Sequence, residues 1–202
     1  MKRRLVFLVM IILPLMFAAC ATTPPADFYL LTPLARLKAP VAAPGERSAL
    51  SLGIGPINVP KYLDRPQIVT RANRNTLRLA EFNRWAEQLK NNITQVMAEN
   101  LSILLATNQV ETFPWQRQRP IDYQVVMNIM QFERDPAGNA RLLVRWRLMN
   151  GEGKQVLKGR KSLITVKPKG RDYDSLVAAL SKTLAAISRE IAGAIKSMPI
   201  LP

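Results

Sequence analysis

Histidine is absent from this chain of 202 residues, and cysteine occurs only once. Without histidine, neither a Ser-His-Asp triad nor a histidine-ligated metal site can form. A single cysteine excludes an intramolecular disulfide, so the fold must rest on packing. The chain has no Gly-x-Ser-x-Gly elbow, and carboxylate pairs such as Glu81 and Glu87 are more typical of charge pairing in so basic a protein. The sequence therefore predicts no enzymatic activity, no metal and no cofactor.

The N-terminal segment has the pattern of an export signal. Basic residues at positions 2–4 precede an apolar run from Leu5 to Phe17, after which two alanines lead into Cys20. Charge, a short apolar core and small residues follow each other in this order in secretory signals. The run is shorter than the roughly 20 residues with which a helix crosses a bilayer. We interpret residues 1–19 as a cleaved signal peptide.

The sequence around Cys20 resembles a bacterial lipobox, in which the cysteine thiol is acylated and becomes the first residue of the mature protein. Phe17 stands where leucine is commonest, whereas the two alanines satisfy the requirement for small residues. A free thiol or an intermolecular disulfide is the alternative use of a lone cysteine. Ala21 is not the aspartate that holds many lipoproteins at the inner membrane. The resemblance therefore implies anchoring in the outer membrane, facing the periplasm.

The rest of the chain divides into a tether and one domain. Residues 20–27 contain small residues and two prolines, which resist both helix and sheet, so we interpret them as the acylated cysteine and a flexible tether. Prolines also mark residues 32–47 as a long loop. Residues 28–202 are long enough for a single periplasmic domain with its own core.

Alternating apolar residues predict strands, two of them joined as a hairpin and the last three as a meander with turns at 135–139 and 150–153. The predicted strands are residues 28–31, 50–59, the hairpin 67–71 and 76–80, and the three strands of 121–167.

Two stretches repeat apolar residues at intervals of three and four, which is typical of amphipathic helices. The first runs from Arg84 to Leu105 with Asn83 as its cap, and the second from Tyr173 to Lys196 with Asp172 as its cap. Each helix needs a sheet to cover its apolar face. The pattern predicts an α+β fold with two amphipathic helices packed on one face of a mainly antiparallel sheet.

Acidic residues are few, 14 against 29 basic ones, and the net charge is +15. In a cytosolic protein this surplus would indicate nucleic-acid binding. Export excludes nucleic acid and leaves anionic lipid headgroups, lipopolysaccharide, peptidoglycan and acidic proteins as partners. The alternative is a basic surface that serves only solubility.

The segment from Gly55 to Leu105 is the most distinctive of the sequence. It contains Tyr-Leu-Asp-Arg-Pro-Gln-Ile-Val at 62–69 and Leu-x-Leu-Ala-Glu-Phe-x-Arg-Trp-Ala-Glu at 77–87. Together with Phe-Tyr-Leu-Leu at 28–31 and Phe-Pro-Trp at 113–115, these motifs resemble the PqiC-type auxiliary lipoproteins of ABC transport systems that work with MCE-domain proteins.

The resemblance implies a non-enzymatic component of a system that moves lipids or other hydrophobic molecules between the inner and outer membranes. The implied partners are an MCE-domain protein and its ABC membrane complex. MCE-domain proteins commonly form rings, so symmetry matching makes a homo-oligomer an expectation. The alternative is a lipoprotein partner or regulator of another envelope machine, for lipopolysaccharide assembly or peptidoglycan synthesis.

Two groups of residues are candidates for binding. Tyr62, Asp64 and Arg65 are expected in a loop at the end of the sheet, where a scaffold presents them to a partner protein, and Arg84 is expected to be exposed at the start of the following helix. The alternative is that Asp64 only pins this loop through Arg65 or Arg71. The second group is expected on one sheet face, as a site for anionic lipid or an acidic partner, or merely as a solvated face. Its members are Arg141, Arg145, Arg147, Lys158 and Arg160.

Overall fold

The computed structural model describes residues 24–34, 50–115 and 120–198. The predicted signal peptide, Cys20 and most of the loop at 32–47 lie outside the described residues. The elements of the described part are β1 (Asp27–Tyr29), β2 (Ser51–Asn58), β3 (Gln67–Arg71), β4 (Leu77–Trp85), α1 (Leu89–Leu105), β5 (Gln109–Thr112), β6 (Tyr123–Arg134), β7 (Ala140–Asn150), β8 (Val156–Val166) and α2 (Tyr173–Lys196).

The eight strands of the described chain form one mixed sheet around β6. One edge of β6 pairs in parallel with β2 and, at Thr70 and Arg134, with β3, while the other edge pairs antiparallel with β7. The predicted hairpin is confirmed as β3–β4, and the predicted meander as β6–β7–β8. A mainly antiparallel sheet is not confirmed, because β1–β4 and β2–β5 are also parallel and four of the seven pairings thus run in parallel.

The two helices pack against each other and against one face of the sheet. Both predicted apolar stripes are confirmed, and the α+β arrangement of two helices on a sheet is confirmed with them. Fully buried residues of α1, α2 and the central strands form a single core. They include Ile93, Met97, Leu101, Leu180, Leu184, Ile187, Ile191, Leu52, Val125, Val144 and Trp146. We call the sheet side opposite the helices the open side.

The prediction for α2 is confirmed at both ends, and the Asp172 carboxylate accepts a hydrogen bond from the Ser175 backbone N–H at 2.7 Å. The predicted start of α1 is wrong. Residues up to Trp85 belong to β4, because β1 pairs with the end of this strand, and Asn83 accepts a hydrogen bond from the Tyr29 hydroxyl instead of capping a helix. The helix begins only at Leu89.

Residues 31–34, which follow β1, lie across the two helices, and we call them the N-terminal strap. Buried side chains accept the backbone N–H groups of the strap: Asn92 from Leu31 at 2.8 Å, and Asn100 from Leu34 at 2.7 Å. A buried backbone N–H without a partner is costly, so these amides explain two asparagines on the apolar face of α1. Ser181 of α2 accepts the remaining strap N–H, from Thr32.

Candidate functional site

The loop between β2 and β3, residues 59–66, carries three of the candidate partner-binding residues. The backbone N–H groups of Leu63 and Asp64 donate to the Pro60 carbonyl at 2.9 and 3.2 Å, which closes a tight turn. The Leu63 side chain is buried in the core. At the end of the loop, the Trp85 N–H donates to the Pro66 carbonyl at 2.7 Å. The loop is therefore held to the sheet at its middle and its end.

Tyr62 does not point freely into solvent, because it belongs to a partly buried polar cluster around Glu133. Its hydroxyl donates to Glu133 Oε2 at 2.8 Å, and Arg71 forms an ion pair with the other oxygen of the same carboxylate. The Glu133 side chain is only 1% exposed. No ion pair joins Asp64 to Arg65 or Arg71 in the described ranges, so Glu133, and not Asp64, is the carboxylate that pins this loop.

Burial and the hydrogen bond to Glu133 raise the pKa of Tyr62 above its ordinary value of 10.0. The folded state therefore keeps the phenol proton more firmly than the unfolded state does, and this part of the stability is present below about pH 10 and is lost as the pH rises above it. As the pH rises from about 9 to about 11, the free energy of unfolding should fall less in the Tyr62→Phe variant than in the unmodified chain. Urea denaturation at each pH measures this difference. Equal losses in the two proteins would contradict the buried phenol.

A groove of about 330 Å³ lies between this loop and the segment that joins β4 to α1. Asp64, Arg65 and Pro66 form one wall, and residues 85–88 form the other. Asp64 is exposed, whereas Arg65 is half-buried and its Nε atom is buried without a hydrogen-bond partner in the described structure. The groove thus offers a carboxylate and a guanidinium side by side.

The structure brings together only some of the four candidates. Asp64 and Arg65 both line the groove. Tyr62 instead donates a hydrogen bond to Glu133, and Arg84 does not line the groove. Arg84 is paired with Phe28 and Gln67 in the sheet, and its Nε atom donates to the Glu81 carbonyl at 3.2 Å.

Sequence reasoning missed part of this groove. Trp85 and Glu87 line it, although the sequence pattern places both inside a helix. A second cleft, of about 310 Å³, was also missed and lies between α1 and the ends of β2 and β5. Its wall includes Phe113, which is 50% exposed and packs edge-to-face on Trp115. The Phe-Pro-Trp motif at 113–115 was the feature of the sequence that could have indicated this cleft.

Arg141, Arg145 and Arg147 lie on the open side of the sheet, because the alternating residues of β7 between them are buried beneath the helices. Lys161 of β8 is directly opposite Arg145 and shares this side.

Lys158 and Arg160 do not share the face of the three arginines, and the prediction that they do is wrong. The strand register pairs Lys158 with Leu148 and Arg160 with Trp146, both of which are buried on the helix side. Arg160 accordingly forms an ion pair with Glu190 of α2, at 3.4 Å. The sequence of β8 lacks a clear alternation of apolar and polar residues, so it does not indicate which of its side chains face the helices.

The described residues contain no cluster of three or more His, Cys, Asp or Glu side chains that could bind a metal ion. Neither helix of the described structure has the length and apolarity that a membrane span requires.

Comparisons with known proteins give the chain a family. The family model described as "ABC-type transport auxiliary lipoprotein component" matches residues 29–192. No curated protein matches the sequence. A crystal structure of an uncharacterized protein has a TM-score of 0.68 and 20% identity, covering 85% of this chain and 99% of that one.

Two further solved structures match the chain with lower identity. A DUF330 protein from Xanthomonas campestris has a TM-score of 0.67 and 16% identity over 84% of this chain and 94% of that one. A PelC dodecamer from Paraburkholderia phytofirmans has a TM-score of 0.47 and 10% identity over 77% of this chain and 94% of that one. The fold is therefore shared with the uncharacterized protein and the DUF330 protein, and the family description is that of a transport component. The chain belongs to the family of ABC-type transport auxiliary lipoprotein components, the PqiC-type family that its motifs at 62–69 and 77–87 resemble.

Proposed function

We propose that the protein is a periplasmic lipoprotein, anchored in the outer membrane through Cys20, that serves an MCE-type ABC system moving lipids or other hydrophobic molecules between the two membranes. The observation that carries the proposal is the family match over residues 29–192. The export pattern of residues 1–19 and the lipobox-like context of Cys20 agree with a lipoprotein. Several acyl chains on one cysteine would give stable anchoring.

The N-terminal strap supports a mechanical role for this anchor. Any pull on the tether reaches the folded domain first at β1 and then at residues 31–34. The strap is held there by hydrogen bonds to both α1 and α2 and by the buried side chains of Leu31 and Leu34. Such a connection passes a load on the tether to both helices and not to β1 alone.

The groove beside the loop at 59–66 is the part of the surface that we assign to the MCE-domain partner. An exposed Asp64 and the half-buried Arg65 can exchange charge-assisted hydrogen bonds with complementary side chains of a partner. Trp85 also lines the groove, but it is buried in the core and therefore supports the groove without offering a contact surface. The loop is fixed at Leu63 and Pro66, so the groove is formed before binding, which lowers the ordering cost of a complex.

In-cell cross-linking tests this assignment. We expect a photo-reactive residue at Asp64, in a tagged chromosomal copy, to cross-link an MCE-domain protein identified by mass spectrometry. The same residue at Lys182, exposed on α2, is the control and should give no such product. Products from Asp64 that contain only peptidoglycan enzymes or lipopolysaccharide-assembly proteins would replace the transport role with that of another envelope machine.

A further inference from the structure

A cationic face occupies the open side of the sheet where β7 and β8 run side by side. We define it by Arg141, Arg145, Arg147 and Lys161, with Leu143 and Leu163 between them. The strand register places Leu143 opposite Leu163 and Arg145 opposite Lys161. Leu163 is 53% exposed, although it sits in the middle of a long strand. The face therefore alternates basic rows with an apolar row.

No member of this face forms an ion pair within the described residues. The ion pairs found there are Arg71–Glu133, Lys154–Glu152 and Arg160–Glu190. Glu133 is the cross-strand neighbour of Arg141, but its two oxygens are already bound by Tyr62 and Arg71.

The arrangement of these cations costs stability in the free protein. Arg145 stands directly opposite Lys161 on one side and Asn128 on the other, and like charges directly opposite each other in a sheet repel. Arg147 faces Val126 and Gly159, neither of which can neutralise it. A bound anion would remove this repulsion, so the pattern indicates a binding surface.

The apolar row decides between kinds of anionic partner. Guanidinium groups bind phosphate oxygens in two-pronged geometry, and a leucine between them can enter the apolar layer beneath the headgroups. Phe28, which is 64% exposed, also points to the open side, because its neighbour Tyr29 contacts Tyr173 of α2 on the helix side. The exposed aromatic ring next to the tether and the cationic face thus look to the same side of the sheet.

We propose that the cationic face docks on an anionic phospholipid surface. The proposal rests on the proposed anchor at Cys20, which brings the domain to a membrane. Docking at a second point sets the orientation of the domain on the bilayer, since attachment at Cys20 alone leaves rotation about that point unrestricted. The helix side, with its N-terminal strap, is then turned away from the lipid.

Vesicle binding of the mature chain with Cys20→Ser tests the proposal, because this protein reaches lipid without an acyl chain. We expect it to sediment with vesicles of phosphatidylglycerol and phosphatidylethanolamine, not with vesicles of phosphatidylcholine, and less so as salt rises. Each basic residue near such a surface contributes about five-fold in affinity, so Arg145→Glu with Arg147→Glu should weaken binding by about 25-fold or more.

A second pair of reversals separates this face from bulk charge. Lys182→Glu with Arg189→Glu changes the net charge equally on exposed positions of α2, and should leave the affinity within about three-fold. Equal weakening by both pairs, or no weakening by the first pair, would overturn the proposal. A third outcome would also overturn it: the chain does not bind vesicles, but it is retained on immobilised polyglutamate, and this retention is lost in the first double variant. The face would then bind an acidic protein. Far-ultraviolet circular dichroism checks the fold of each variant.

These outcomes are independent of the partner assignment. Cross-links from Asp64 report the transport complex, whereas vesicle binding by the Cys20→Ser chain reports only the cationic face. Vesicle binding without an MCE cross-link would remove the transport role and keep the lipid-facing orientation. An MCE cross-link without vesicle binding would keep the transport role and remove the lipid-facing orientation.

Discussion

Replacing Arg71 with methionine is expected to lower the free energy of unfolding by about 3 kcal/mol. The substitution leaves the buried Glu133 carboxylate without its ion-pair partner and with only the Tyr62 hydroxyl as a hydrogen-bond donor. Breaking a buried ion pair by removing one partner costs more than removing both, because the remaining charge stays desolvated. Arg71 itself is 19% exposed, so water can relieve part of this cost.

Urea denaturation of the mature Cys20→Ser chain measures the effect, and Arg74→Met is the matched control. Arg74 is exposed in the hairpin turn next to Arg71, and only its backbone carbonyl is used as an acceptor. We expect the control to change stability by less than about 0.5 kcal/mol. Combining Arg71→Met with Glu133→Gln should recover part of the loss, since the amide carries no charge and can still accept from Tyr62. If the double variant is no more stable than Arg71→Met, the buried charge is not the cause.

Replacing Asn100 with alanine is expected to destabilise the protein by about 2–3 kcal/mol. Asn100 is 0% exposed and joins three parts of the fold. Its Oδ1 atom accepts from the Leu34 backbone N–H, and its Nδ2 group donates to the Ser188 hydroxyl at 3.1 Å. Alanine leaves the Leu34 N–H buried without an acceptor and also creates a small cavity between the helices.

The control for this second change is Asn91→Ala on the same helix. Asn91 is exposed, so its replacement should change stability by less than about 0.5 kcal/mol. Native-state amide exchange adds a local measurement: the Leu34 N–H should exchange faster in Asn100→Ala and unchanged in Asn91→Ala. Equal stability of the two variants would show that the strap does not depend on Asn100.

The sequence alone determined the elements that depend on neighbouring residues. The period of three and four and the cap at Asp172 set α2 at Tyr173–Lys196, because a helix is specified by contacts within one or two turns. Alternation and short turns likewise set the hairpin and the meander. The family followed from motifs spread along the chain, because a motif is recognised by its residue types without knowledge of where the fold places them.

Only the tertiary structure decided what depends on residues far apart in the chain. Pairing with β1 keeps residues 83–85 in a strand, and parallel pairing of β2 with β6 joins segments more than 60 residues apart, so the local pattern predicted neither. The same reason separates Lys158 and Arg160 from the cationic face, because the register with β7 sets their side of the sheet. Hydrogen bonding across the fold likewise turned Tyr62 toward Glu133 and Asn100 toward the strap, since a buried polar group must find its partner wherever packing places one.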